Sequence, residues 1–471
     1  MIHKFQLPYY QRKRQDRKIN QKLQYIIVNN IKCITNQMDE DDTYQELISN
    51  HVGNPQSSYQ SIYQKFKLTQ VSHLSQKKPH RATLFSSTLN LTNTILGAGI
   101  LTIPFNFNRT GYVFGYIQQG MFAILAYYTF HLLGTSARAT KCFNYQLLIQ
   151  SLLNKTLGYL SSFCILIFTS FIMVSFCILI RDNLFFLSVQ WHKALVFAAI
   201  LVLAITPLSS VPELNMLQYS SLLSIFCGFY VVLFTVSLCV LKSTNKLTLP
   251  EMEPPIAIKP ITFQFFASFA YSALAFAGHF NALNVFQEVK NHSSKSFNKS
   301  AFFSIVCILI MNLLISTGYF VFSDQVEPNI LQNFDNLIQY RALSYICNIS
   351  LVIILVCSYP LMMFCFKANL LELCCRKREI KYKHQVIIVI FLNILFGGIS
   401  LFLTDVGIVL DVVSSIACVP LVIVFPGLLG LRWSYEEHDR KKKIIGLIVN
   451  TIVVIVGVLL MILGVIGCFI K

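Results

Sequence analysis

Charged side chains are scarce in this chain, at 13% of 471 residues, while 55% are hydrophobic. With a mean hydropathy of +0.59, too little polar surface exists to coat a soluble globule of this size. Acidic residues are scarcer still, 21 against 38 Lys and Arg. The basic excess forms no folded basic domain, because it is scattered through short links between apolar runs, so nucleic acid is not a partner. The 14 cysteines lie mostly inside apolar runs, and no long outward link holds a pair, which excludes an obligatory disulfide framework. No metal-spaced His/Cys set, phosphate loop or nucleophile motif occurs. Neither an enzymatic activity nor a cofactor is therefore expected.

What remains is a polytopic membrane protein. A helix rises 1.5 Å per residue and the hydrocarbon layer is about 30 Å thick, so each span needs roughly 20 mostly apolar residues. Such runs fall near 84–105, 113–133, 159–180, 194–211, 219–240, 263–286, 300–322, 344–366, 385–403, 406–429 and 444–470, about eleven transmembrane helices in an all-α membrane protein. Residues 83–471 form the membrane domain and residues 1–82 a polar, mostly disordered tail. That tail holds an acidic cluster at Asp39–Asp42 and an amphipathic stretch from Lys18 to Ile34, where a cytosolic regulator would bind. It lacks a secretory apolar core, so it stays cytosolic and uncleaved. Most Lys and Arg then face the cytosol, notably Arg376–Arg378 and Arg440–Lys443, as the positive-inside rule requires. The sequons at Asn154 and Asn298 fall on that side and Asn108 sits too near the bilayer, so no N-glycan is expected. Cys374 and Cys375 beside the inner face are acylation candidates.

Two spans are poorly written as continuous helices. The first carries Asn93, Thr94, Gly97, Ala98 and Gly99 at its midpoint; the sixth carries Ala275, Phe276, Ala277, Gly278 and His279. Each interior glycine costs about 1 kcal/mol. Alone, either segment reads as a small-residue packing face. Five spans apart, the pair is the pattern of an inverted repeat whose halves meet at a midplane site. Unwinding frees N–H groups at a half-helix N-terminus for a carboxylate, and C=O groups at the other end for an ammonium or a cation. A zwitterion suits both.

The first span, the run from Gly318 to Leu331, Ser358-Tyr359-Pro360 with Phe364–Leu370 beyond, and Val419–Arg432 together resemble the amino acid/auxin permease family. That family includes sodium-coupled neutral amino acid transporters and vacuolar amino acid transporters. The resemblance implies a LeuT-type five-plus-five inverted repeat with one extra helix, and secondary active transport of amino acids by alternating access with Na+ or H+ as coupling ion. It implies substrate contacts from Thr94, Gly97, Ala98, Gly99, Phe276, Gly278 and His279, and a cation site at Asn93 and Ser358. Asp411 stands where the family has Gly, and Thr404-Asp405 where it has Pro-Asp or Pro-Asn. A carboxylate inside a span is costly, so Asp411 is a candidate for ion or proton coupling. Pro104, Pro360, Pro420 and Pro426 are kink candidates. A sensor signalling through the tail is the alternative function. The membrane is the plasma membrane or a vacuolar or lysosomal one.

Overall fold

The computed structural model describes residues 82–184, 190–247, 249–250, 252–289, 293–335, 337–375, 381–403 and 406–469. The tail with its Lys18–Ile34 stretch, Arg376–Arg378 and Thr404-Asp405 lie outside the described residues. The architecture is all-helical: α1 (Leu84–Leu96), α2 (Ile103–Thr110), α3 (Tyr112–Thr140), α4 (Tyr145–Leu152), α5 (Lys155–Asp182), α6 (Gln190–Ile200), α7 (Thr206–Ser209), α8 (Gln218–Ser243), α9 (Phe263–Ala275) and α10 (His279–Glu288). There follow α11 (Ser294–Ile315), α12 (Thr317–Phe322), α13 (Ile330–Asp335), α14 (Arg341–Cys375), α15 (Tyr382–Phe402), α16 (Val406–Val413), α17 (Phe425–Glu436) and α18 (Arg440–Phe469).

Seven helices among the described residues are individually long and apolar enough to cross a bilayer. The four other expected spans coincide with elements that miss that standard for visible reasons. Two are broken, α1 with α2 and α9 with α10. The third, α3, carries Gln118 and Gln119 in its apolar run, and the fourth is the shorter Lys193–Ser209. Large apolar side chains such as Ile124, Leu203 and Phe402 point outward at 75%, 76% and 87% exposure. In water such a surface would aggregate; against lipid it costs nothing.

Local chemistry sets the element ends. Thr83, Asn144, Asn154, Thr262 and Ser293 cap α1, α4, α5, α9 and α11 through side-chain oxygens that accept backbone N–H groups. Between α2 and α3 the chain reverses at Gly111, whose φ of 83° and 2.6 Å from its absent Cβ to the Ala257 carbonyl oxygen leave room only for hydrogen. Wide π-type turns interrupt the fourth span at Leu201–Ile205 and the tenth at Ser414–Cys418 and Pro420–Val424. Pro420 lies in that loosened stretch and Pro426 in the first turn of α17, whereas Pro360 sits inside the long helix α14.

Packing divides the membrane body. The first, second, sixth and seventh spans pack on one another, with α11 against α1 and α3, and α10 against both. The third, eighth and ninth form a second group, with α5 against α14 and α15. Buried amides lace the first group: Asn106 Nδ2 and Gln119 Nε2 both donate to Ser272 Oγ, at 3.0 and 3.2 Å, and Asn312 Nδ2 donates to Gln119 Oε1 at 3.2 Å. Within hydrocarbon such bonds hold four elements in one register. The extra helix α18 lies against α9 and α17.

Candidate functional site

Helix α1 stops at Leu96, Gly97 takes φ 2° and ψ −150°, and a 3-10 turn from Ala98 to Thr102 leads into α2. Helix α9 stops at Ala275, Phe276 and Gly278 leave helical geometry, and α10 starts at His279. The breaks fall where the glycines predict them and they meet. A Cβ on Gly99 would stand 3.2 Å from Ala275 Cα and 3.3 Å from the Leu274 oxygen. One on Gly278 would stand 2.7 Å from Ile95 Cγ1, inside contact distance. Glycine at both positions allows the main chains of the two interrupted spans to approach. Helix ends leave up to four N–H and four C=O groups without intrahelical partners, so this junction concentrates peptide dipoles in the middle of the bundle.

The side chains around it are tied down. Thr94 Oγ1 donates to the Asn90 carbonyl at 2.7 Å and accepts from Asn281 Nδ2 at 3.2 Å, linking the two broken spans. The His279 ring stacks on Phe130 at 3.9 Å, and its Nε2 lies 2.8 Å from Thr129 Oγ1. Phe276 is fully buried.

The structure brings Asn93 and Ser358 together: Ser358 Oγ donates to Asn93 Oδ1 at 2.7 Å, and Asn93 Nδ2 donates to the Cys357 carbonyl and to Ser221 Oγ, each at 3.2 Å. Three hard oxygens (Asn93 Oδ1, Ser358 Oγ and the Cys357 carbonyl) thus lie beside the first break, the donor type that suits Na+. Asp411 is not part of this group. Its carboxylate takes two bonds from Arg109, Nη1 at 3.0 Å and Nη2 at 3.2 Å. The guanidinium lies between the Phe105 and Tyr271 rings, 4.7 and 4.9 Å from their centroids.

Terming the face that carries Ala82 inner, the Arg109–Asp411 pair clasps the outer end of the first span to the tenth. Beside it opens a cavity of about 370 Å³ lined by Leu101, Thr102, Asp182, Glu327, Val406 and Gly407 among others. On the inner side Glu288, ending α10, accepts the N–H groups of Leu214 and Asn215, both at 2.8 Å. The same turn is held by α1, with Asn90 Nδ2 on the Leu214 carbonyl at 2.8 Å and Ser86 Oγ on Asn215 Oδ1 at 2.5 Å. The Ala82 N–H donates to the Glu288 carbonyl at 3.1 Å. Sequence reasoning missed Arg109 and Glu288. The signal for the first was an arginine in a short outer turn with a lone carboxylate elsewhere; nothing local signals the second.

Solved structures share this fold. The MhsT structure in complex with L-phenylalanine aligns with a TM-score of 0.52 at 11% identity, over 83% of this chain and all of that one. A Na+-coupled sialic acid symporter aligns at 0.52 and 10% identity, over 84% of this chain and 96% of its own. The fold is therefore of the LeuT type, with two broken spans. The family model for transmembrane amino acid transporter proteins matches residues 80–470, and the chain belongs to that family. Relatives include amino acid transporter AVT6E of Arabidopsis thaliana, 24% identical over 79% of this chain and 82% of its own, and vacuolar amino acid transporter 5 of Schizosaccharomyces pombe, 24% over 76% and 86%. Sodium-coupled neutral amino acid symporter 2 of Danio rerio is 24% identical over 83% of this chain and 84% of that one. The relatives are named as transporters, in keeping with the absence of enzyme motifs from the sequence.

Proposed function

We propose that this protein is a secondary active transporter that moves amino acids with uncharged side chains across a membrane by alternating access, coupled to Na+ or H+. The observation that carries the reading is the meeting of two unwound spans at Gly97–Gly99 and Phe276–Gly278, where peptide N–H and C=O groups suit the carboxylate and ammonium of a zwitterion. Of the described Asp, Glu, Lys and Arg side chains, only Glu288 and Lys367 are buried, and both belong to the inner half. Asp182 and Glu327 line the cavity on the outer side of the junction but no buried acid or base of the described residues lies at the junction itself, so a charged substrate side chain held there would be unpaired, at a cost of several kcal/mol.

Two closures support alternating access. The Arg109–Asp411 pair bars the outer path and the Glu288 clasp bars the inner one. Opening one while the other holds carries the site from one face to the other. Asn93, Ser358 and the Cys357 carbonyl supply the oxygens for a coupling cation, and Asp411 serves the closure rather than the ion. The relatives named as sodium-coupled and as vacuolar fit either coupling ion and either membrane. The basic inner links favour a cytosolic N-terminus. A sensor that does not transport has no counterpart among these relatives.

Uptake of a panel of labelled amino acids into proteoliposomes, with an imposed Na+ or pH gradient, tests the proposal. Gradient-driven accumulation of uncharged amino acids is expected. Folded protein that accumulates none under either gradient would overturn it.

A further inference from the structure

We infer that the inner end of α18 holds an acidic phospholipid, with its phosphate on Arg440, Lys441 and Lys442 and its acyl chains along the bare apolar face of the same helix.

The link from the tenth to the eleventh span carries acids as well as bases, and the structure engages the acids locally. Glu436 pairs with Arg432 at 2.6 Å. Glu437 Oε1 accepts the N–H groups of His438 and Asp439 at 3.0 and 3.2 Å, and Asp439 Oδ1 accepts that of Lys441 at 2.9 Å. Lys443 sets its Nζ over the Tyr435 ring, 4.7 Å from the centroid. Arg440, Lys441 and Lys442 are exposed, and no ion pair among the described residues includes them. Three cations therefore stand free in the first turn of a helix that crosses the membrane.

Their place on that helix points to the ligand. At about 100° per residue, Lys441 shares one face with Ile445, Ile448, Ile452, Ile455 and Leu459, each more than half exposed. Arg440 and Lys442 flank Lys441 on either side, and α18 is the least covered of the seven long spans. A charged turn centred over an uncovered apolar stripe matches a phospholipid, head above and chains below. The level is that of the inner surface, since Trp433 Nε1 in the same link donates to Ser136 Oγ near the end of α3 at 2.7 Å, while Gly467 at the far end of α18 meets the Phe263 carbonyl. Tyr435, 65% exposed, lies at this level as tyrosines do among headgroups.

Charge decides the occupant. Arginine and lysine bind phosphate through charge-assisted hydrogen bonds, and each cation at a membrane surface strengthens acidic-lipid binding by about fivefold. A second copy packed on this face about a twofold axis would bring both cationic turns together with no free acid between them. A soluble phosphate would use the turn and leave the stripe uncovered.

The test is native mass spectrometry of the purified full chain in equimolar mixtures of phosphatidylcholine with phosphatidylserine, phosphatidylinositol or phosphatidylinositol 4-phosphate. Wild type should retain the acidic lipid in each mixture, more tightly as headgroup charge rises, and should release it at high salt. Neutralising all three residues (Arg440→Gln, Lys441→Gln and Lys442→Gln) should weaken retention about a hundredfold. The exchange Arg440→Lys, Lys441→Arg and Lys442→Arg should keep it. So should the combination Lys155→Gln, Lys295→Gln and Lys383→Gln, which removes as many exposed charges at the starts of α5, α11 and α15. If the neutral triple variant is poorly made, Lys441→Gln alone should still weaken retention about fivefold. Wild type without preference for acidic lipid would overturn the inference, as would equal losses in the two neutralised triples or none in the first. Displacement of the lipid by equal amounts of water-soluble glycerophosphoinositol 4-phosphate, or a dimer that excludes lipid, would overturn it in favour of a free phosphate or a second copy.

Discussion

Removing either partner of the Arg109–Asp411 pair should open the outer path. The pair is bidentate, joins residues 302 positions apart, and has side-chain exposures of 12% and 17%. Fully exposed pairs contribute about 0–1 kcal/mol. Breaking a buried pair costs about 3–5 kcal/mol, because the remaining charge loses its partner. At this intermediate burial, and with the guanidinium still resting on Phe105 and Tyr271, about 2 kcal/mol is the reasonable scale. If the pair exists only while the outer path is shut, its loss shifts the closed-to-open ratio roughly 30-fold, since 1.4 kcal/mol is tenfold. Thr102, 2% exposed at the edge of the outer cavity, offers the reporter. In a background stripped of reactive thiols, Thr102→Cys should react with a membrane-impermeant reagent at least about tenfold faster when combined with Asp411→Asn or Arg109→Gln. The double variant should react no faster than the single ones, because each already breaks the pair. Unchanged rates in both single variants, or effects that simply add, would refute the closure.

Other substitutions test the remaining parts. Gly97→Leu should abolish transport while leaving membrane insertion intact, since its side chain must displace the Phe176 ring; uptake with surface labelling decides. Gly278→Ala should destabilise by about 1–3 kcal/mol, its methyl meeting Ile95 Cγ1 at 2.7 Å, and thermal unfolding in detergent measures this. Glu288→Gln keeps one acceptor for the Leu214 and Asn215 N–H groups and loses the charge, a change of about 1–2 kcal/mol that should favour the inward-open state. Faster reaction of inner-face cysteines and slower net uptake are the readouts. Asn93→Ala and Ser358→Ala should raise the half-saturating Na+ concentration severalfold or remove Na+ dependence, while leaving any proton-driven uptake in place.

The broken spans were legible because their cause is local. Glycine clustered at mid-membrane depth in two runs five spans apart is a property of the chain itself, and the breaks fall at Gly97 and Phe276–Gly278. The meeting of Asn93 with Ser358 was legible only through family resemblance, since 265 residues separate them. What stayed hidden is pairing across the fold. Asp411 read as a lone carboxylate inside a span, and its partner Arg109 read as an ordinary outer-turn residue, because nothing within a dozen positions of either reveals the other. Glu288 was invisible for a related reason: its partners are backbone N–H groups, which every sequence has. The helices α4 and α13 fell below notice because each is short and lies in a link between spans. The π-type turns of the fourth and tenth spans add residues to a helix without changing its composition, so hydropathy cannot see them.

The most direct measurement is an experimental density map of the purified protein saturated with a transported amino acid. Both the first and the sixth spans should show a gap, with the substrate carboxylate against the N–H groups of Gly97–Gly99. Two unbroken helices, or a substrate bound away from both interruptions, would contradict the account.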